Sequence, residues 1–518
     1  MQRVTMLIFI LILVVSISIP AQTVGDYRTR NSGDWSNAQI WERYNGSSWV
    51  PIGSPPNGSE TITVLSPDTV SVNSAVSISG TLVNQGSIEP FDSLTITIAD
   101  GGTYQHDRDE GSVPKCIWAV GSTMLITGVT STAPGDRDQD YYNLTFDTPN
   151  LSSNLNMNLN DNTIGGDVRV INTNFARWYL TTALGGESST VTIMGDVIVE
   201  NGTFSVQGTG NGLTTFIVNH YGNIEVTGGN FSISRGSQPG GTTTWYLYEG
   251  NFSMSNATTQ NSNPAGAKFV FAKPGTQTLT LGVGNTLTAL PIEVNSGTTL
   301  DMGASALAGS GIFIANVDAT LITTLAGGVN EIFSGVTVSV NLENESSYGF
   351  NGTSTQVTSA QMPDTVTNLT IDNSAGVILS QETLINGVLR LVSGVFDNTI
   401  PFTLGPNATI SYEGGSLLVP VSIVSNELNV PETFFVDQNY PNPFNPTTTI
   451  RFGLPSAADV TIKVFNLLGQ EVANLYDYRL SAGVHELQFD AQNLSSGIYL
   501  YRIKAGEVVS VKRMFLLK

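Results

Sequence analysis

At 518 residues the chain is long enough for about two to four domains. Only 12% of residues are charged and 53 are glycine, a balance that favours short strands and tight turns over helices. With 42 acidic against 21 basic residues the formal charge is −21, a surface that repels polyanions and disfavours nucleic acid as a partner.

The first element is a targeting segment. Arg3 precedes an apolar run over residues 6–15, which ends in small residues before Pro20 and Ala21. The run is too short for a comfortable membrane span, so residues 1–21 read as a signal peptide cleaved between Ala21 and Gln22. No later segment has the length and apolarity of a membrane-crossing helix.

Residues 22–60 hold Trp35, Trp41 and Trp49, three of the six tryptophans. Such rings stack on sugars when exposed, or close the open end of a β-stack when buried. The second use is expected here.

Repetition dominates residues 61–420. Gly166-Asp167-Val168-Arg169-Val170 returns as Gly195-Asp196-Val197-Ile198-Val199, Gly222-Asn223-Ile224-Glu225-Val226 and Gly250-Asn251-Phe252-Ser253-Met254. The glycines lie 29, 27 and 28 residues apart. A longer echo links Asn143-Leu144-Thr145-Phe146-Asp147 to Asn368-Leu369-Thr370-Ile371-Asp372. A unit of about 28 residues with several short strands cannot bury its apolar face alone, but stacked coils can. The expected fold is all-β: a right-handed parallel β-helix or related β-solenoid over 61–420. A string of Ig-like sandwiches would need a period near 100 residues, which is absent.

Chemistry-bearing residues are sparse. Cys116, the one cysteine, can form no intramolecular disulfide and sits in an apolar stretch, as a buried structural thiol would. His106, His220 and His485 are too far apart in sequence to build a zinc site by local spacing. Asp136, Asp138 and Asp140 present alternate carboxylates, the donor type calcium takes. However, Tyr141 stands where an EF-hand loop needs glycine and Asp147 where it needs Glu, so a solvated loop is the better account. The central repeats carry Asp167, Glu187, Asp196, Glu200, Glu225 and Glu249 singly, with no compact acid–base pair. No catalytic residue and no cofactor is expected. The alternative is a polysaccharide-acting β-helix lyase or hydrolase, whose carboxylates would converge from distant coils.

Composition changes near residue 433. Residues 433–518 hold 8 Lys or Arg and 7 Asp or Glu, so the preceding 432 carry −22. A linker is placed at 421–432. Beyond it, Pro441, Pro443 and Pro446 enforce extended backbone. Alternating runs at 449–452, 460–464, 484–489, 498–503 and 508–515 then predict a small Ig-like β-sandwich.

Three ordered motifs lie in this last segment: Asn439-Tyr440-Pro441-Asn442-Pro443-Phe444-Asn445-Pro446, then 464–472 around Gly469, then Leu494-Ser495-Ser496-Gly497-Ile498-Tyr499. With the terminal Lys518 they resemble the type IX secretion C-terminal sorting domain, type A. The resemblance implies passage through the outer-membrane type IX translocon, action of its sorting peptidase, and in many cargoes attachment to surface lipopolysaccharide. The strand phrases upstream likewise resemble the β-helical stalks of such cargo. The whole chain therefore reads as an extracellular or outer-surface adhesin or structural stalk, with glycans as a further possible ligand.

Overall fold

The computed structural model describes residues 22–93, 95–181, 188–207, 215–234, 242–259, 261, 266–282, 285, 287–288, 290–336, 339–419, 431, 433–480 and 482–518. The signal segment with Ala21, the residue Glu187 and all of the linker but residue 431 lie outside them. Among the described residues no helix is long and apolar enough to cross a membrane.

The chain winds as a three-sided β-solenoid. Its first face is one sheet of nineteen strands, from Trp49–Pro51 and Trp41–Tyr44 at one edge to Thr409–Tyr412 at the other. The other two faces are built from shorter sheets laid end to end. One coil runs Val197–Val199, Thr203–Gln207 and Thr215–His220 before Ile224–Val226 starts the next. Successive coils pair in parallel, and in the middle of the stack in strict register: Val168, Val197, Ile224 and Phe252 form one column. Inward residues of all three faces merge into one continuous core from Tyr27 to Leu417. Phe204, Phe231, Trp245, Phe252 and Phe269 stack through its middle, with Phe231 and Trp245 centroids 5.3 Å apart. Such pairs add about 0.5–1.5 kcal/mol each beyond area burial.

The recurring Gly-Asp and Gly-Asn phrase has a steric cause. Each pair sits at the corner entering the first face, glycine stacked on glycine. A Cβ on Gly222 would lie 2.0 Å from the Gly195 carbonyl oxygen, and one on Gly250 1.8 Å from that of Gly222. The next residue ties coil to coil. Asn143 Oδ1 accepts from the Asp167 amide (2.8 Å), Asp167 from Asp196 (2.8 Å), Asp196 from Asn223 (2.6 Å) and Asn223 from Asn251 (3.0 Å). Only a short side chain ending in an oxygen acceptor bridges that gap, which is why Asp and Asn interchange here.

The 28-residue unit is a property of the middle coils, not of the whole solenoid. In-register residues Ile62, Leu82, Tyr104, Met124 and Leu144 are 20, 22, 20 and 20 apart, and Leu369, Leu389 and Ile410 are 20 and 21 apart. The stack also contains one offset. The strand Gly275–Leu281 pairs with the coil before through Leu279, Thr280 and Leu281, but with the coil after through residues 275–278. Buried Gln277 fills the seam, donating from Nε2 to the Leu247 and Gly250 carbonyls and accepting the Lys273 amide.

Within residues 22–60 the chain already joins the stack, since Tyr27–Thr29 pairs in parallel with Thr61–Val64. Trp41–Tyr44 and Trp49–Pro51 then add antiparallel strands outside it.

Residues 433–518 form a separate β-sandwich with its own core, which includes Ile450, Phe452, Ile462, Tyr501 and Met514. Three strands (Phe435–Val436, Thr447–Leu454, Gly483–Asp490) face four (Glu471–Leu480, Ala458–Asn466, Gly497–Ala505, Val508–Leu516). Glu471–Leu480 is a strand the alternation does not announce. Its pairing with Ala458–Asn466 slips at Ile462/Lys463 and again at Val464/Phe465, which breaks the period of two.

Candidate functional site

The proline-rich motif at the start of the sandwich is a clamp on the last strand. Pro441 and Pro443 carry no amide, and both peptide bonds preceding them are cis. Side chains take over the bonding. Asn442 Oδ1 accepts from the Phe515 amide (2.9 Å), and Phe444 exchanges backbone bonds with Phe515 and Leu517 (both 2.9 Å). The motif thereby covers the edge of Val508–Leu516, which would otherwise be open.

Asn439 anchors the clamp from inside. It is buried, donates from Nδ2 to Thr448 Oγ1 (2.8 Å) and Pro441 O (3.2 Å), and its amide donates to Tyr501 Oη (3.1 Å). Tyr501 in turn donates to the Asp437 carbonyl (2.7 Å). Neither residue stands out in the sequence as a site, although an amide two residues ahead of the first proline of the motif is a signal that could have been used. Asn439→Ala strands these groups, at an expected cost of about 2 kcal/mol. Amide exchange in Gly497–Ala505 should quicken accordingly, and unchanged exchange there would count against the anchor.

The other motif residues have smaller tasks. Gly469 takes φ +79° in a turn whose Asn466 Oδ1 accepts from the Leu468 and Gln470 amides (3.0 Å each). At Gly497 a Cβ would meet nothing nearer than 3.8 Å, so packing there does not require glycine. Lys518 donates from its amide to Ser496 Oγ (2.9 Å) and from Nζ to the Gln492 carbonyl.

On the solenoid, two tryptophans of the opening segment are core residues. Trp35 and Trp41 are buried edge to face, 5.1 Å apart, and Trp41 Nε1 donates to the Trp35 carbonyl (3.0 Å). Trp49 is half-buried, beside Tyr44 and beneath the Arg28 guanidinium at 4.3 Å. The buried pair offers no face to a sugar.

Asp136, Asp138 and Asp140 are exposed, and Asp140 Oδ1 is engaged by the Thr163 amide (2.9 Å) and Asn162 (3.1 Å). Among the described residues, no three His, Cys, Asp or Glu side chains are grouped to hold a metal. In the neighbouring charged loop, burial raises the Asp109 carboxyl, but bonds from the Ser131, Thr132 and Thr130 amides outweigh it and hold the group well below the usual range. Asp109 thus ties one coil's loop to the next. Cys116 is half-buried at the margin of the core, where burial pushes its thiol up to about 12.

An acid–base arrangement does arise across successive coils, between residues far apart in sequence. Arg169 Nε donates to Glu200 Oε1 (2.6 Å), and the carboxyl of Asp147 is raised by burial and by the Glu200 charge. The same set recurs. Arg390 grips Glu413 through Nε (3.0 Å) and Nη2 (2.8 Å), with Asp372 in the place of Asp147. Both aspartates follow a slip in strand register, opposite Asn172 and Ser393 respectively. This is the structural content of the sequence echo between 143–147 and 368–372: a guanidinium strap joining successive coils, used twice.

Residues 438–517 match the family model described as "Secretion system C-terminal sorting domain". No curated protein and no solved structure matches the chain. The segment closing this β-solenoid is a type IX secretion C-terminal sorting domain, and the chain is cargo of that system, bound for the cell surface or the extracellular space.

Proposed function

We propose that the exported protein is a non-enzymatic surface stalk or adhesin. The observation that supports this most is a single uninterrupted solenoid core joined to a sorting domain. Its first face presents residues such as Gln105, Thr145 and Ser253 outward, side chains suited to glycan or protein contact more than to bond cleavage. A lipopolysaccharide or glycan partner belongs to this reading.

The rival reading is a polysaccharide lyase or hydrolase, and Asp147 with Glu200 and Arg169 is what favours it. A carboxyl raised by burial and by a neighbouring carboxylate is a pattern found in acid–base pairs. The same placement of an aspartate beside an Arg–Glu pair at Asp372, Arg390 and Glu413 argues for a structural strap, because a catalytic site gains nothing from a copy built into another coil. Incubating residues 22–518 with acidic and neutral glycans decides between them. The stalk reading expects no change, and new reducing ends or unsaturated uronates would sink it. In cells, removing residues 433–518 is expected to leave the solenoid in the periplasm, and surface display without the tail would contradict the export route.

A further inference from the structure

The two ends of the solenoid are finished differently. At the N-terminal end, the antiparallel strands Trp41–Tyr44 and Trp49–Pro51 extend the first face, and its outermost strand carries Pro51, which has no N–H to offer a further strand. At the other end, Thr409–Tyr412, Ser416–Leu417 and Phe402–Leu404 are the last strands of their sheets among the described residues. A parallel strand serves its two neighbours with alternate residues. Thr409 and Glu413 donate back to Gly387 and Leu391 of the coil before (2.9 and 2.8 Å), so Ile410 and Tyr412 turn their backbone groups to the far side. On that side lies Gly483–Asp490, itself an outer strand of the sorting domain. Glu413, held by Arg390 and Ser411, also hydrogen-bonds the side chain of Asn493, three residues beyond that strand.

From this juxtaposition we infer that the sorting domain is a removable cover over the solenoid's last strand edge, and that the uncovered edge pairs tail to tail with a second copy of the chain. An open edge is a template for another strand. The 432 residues before the sorting domain carry a net −22, so the long sides of two solenoids repel one another and contact is favoured at the ends. Because Pro51 and the antiparallel turn blunt the N-terminal edge, the tails are the ends suited to pairing. Two identical tails meet about a twofold axis, which sets the two Thr409–Tyr412 strands antiparallel. The assembly then closes at a dimer and cannot extend into a fibre.

The test uses residues 22–518 with a protease site introduced within 420–430. Before cutting, the chain is expected to run as a monomer with protected amides at Ile410 and Tyr412. After cutting, the sorting domain should separate and the solenoid should run at twice its mass in light scattering. Without any cut, Asn493→Asp sets a second carboxylate beside Glu413. Exchange at Ile410 and Tyr412 is expected to rise about tenfold, with Val388–Ser393 unchanged. Equal exchange in wild type and Asn493→Asp, or a sorting domain that stays bound after cutting, overturns the cover. A cut solenoid that remains monomeric at every concentration overturns the pairing. Neither readout involves export, so failure here leaves the secretion reading standing.

Discussion

Replacing Gly250 by alanine is expected to cost the solenoid about 3 kcal/mol or more, seen as a lower urea midpoint, while Gly497→Ala changes nothing measurable. Both glycines lie in phrases that recur or match a family, yet their surroundings differ. At Gly250 a Cβ would meet the Gly222 oxygen at 1.8 Å, the Gly222 carbon at 2.3 Å and the Asn223 nitrogen at 2.6 Å, all backbone. No side chain can swing aside, so the coils must part, and the Asn223–Asn251 bond beside them parts as well. At Gly497 the nearest atom is 3.8 Å away. Equal midpoints for the two variants would mean that the glycine stack is not what spaces the coils.

Acid should loosen the solenoid well before its carboxylates are neutralised. His106 and His220 are fully buried, and burial lowers each to about 4, from an ordinary value of 6.5. Both are held neutral. His106 Nε2 bonds the Glu110 carbonyl and His220 Nε2 that of Gly195, each at 2.8 Å. Below pH 6.5 the unfolded chain takes up protons that the folded chain refuses until pH 4. Stability is therefore full above 6.5, falls as pH drops from 6.5 towards 4, and loses nothing more from these groups below that. Each histidine contributes on the order of 3 kcal/mol to the fall. Unfolding midpoints from pH 7.5 to 4.5 measure it, and His220→Gln should flatten about half the slope. A slope untouched by that variant would place the sensitivity elsewhere.

The coiled architecture was legible because one steric rule, glycine on glycine followed by an Asx acceptor, writes the same phrase at four successive corners. Where coils are only 20–22 residues long the same crowding persists under different neighbours. Gly80 and Gly102 would put a Cβ 2.3 and 2.1 Å from the Glu60 and Ile78 oxygens, but Thr81 and Thr103 follow them, so no Gly-Asx phrase betrays the period. In the sorting domain the motifs were plain and the anchor was not. Asn439 and Tyr501 meet across 62 positions of sequence, and nothing local marks that pairing. The strap of Arg169 and Glu200 was hidden in the same way, since its partners stand 31 residues apart in different coils. His220 looked isolated because its partner is the Gly195 carbonyl, a group every residue owns.

The offset at Gly275–Leu281 bears on how the rod carries load. On either side of it the strands of the first face form continuous ladders. Across it the first face shares one strand, half of which serves each side, with Gln277 as the polar plug, while a second sheet passes the junction in register through Thr242–Leu247, Ala267–Phe271 and Ile292–Val294. In a one-dimensional array, cooperativity passes only between neighbours, so a junction thinned on one face is its weakest link. Pulled between its ends, the first face should open first at this shared strand, with the second sheet as the hinge that still ties the two parts together.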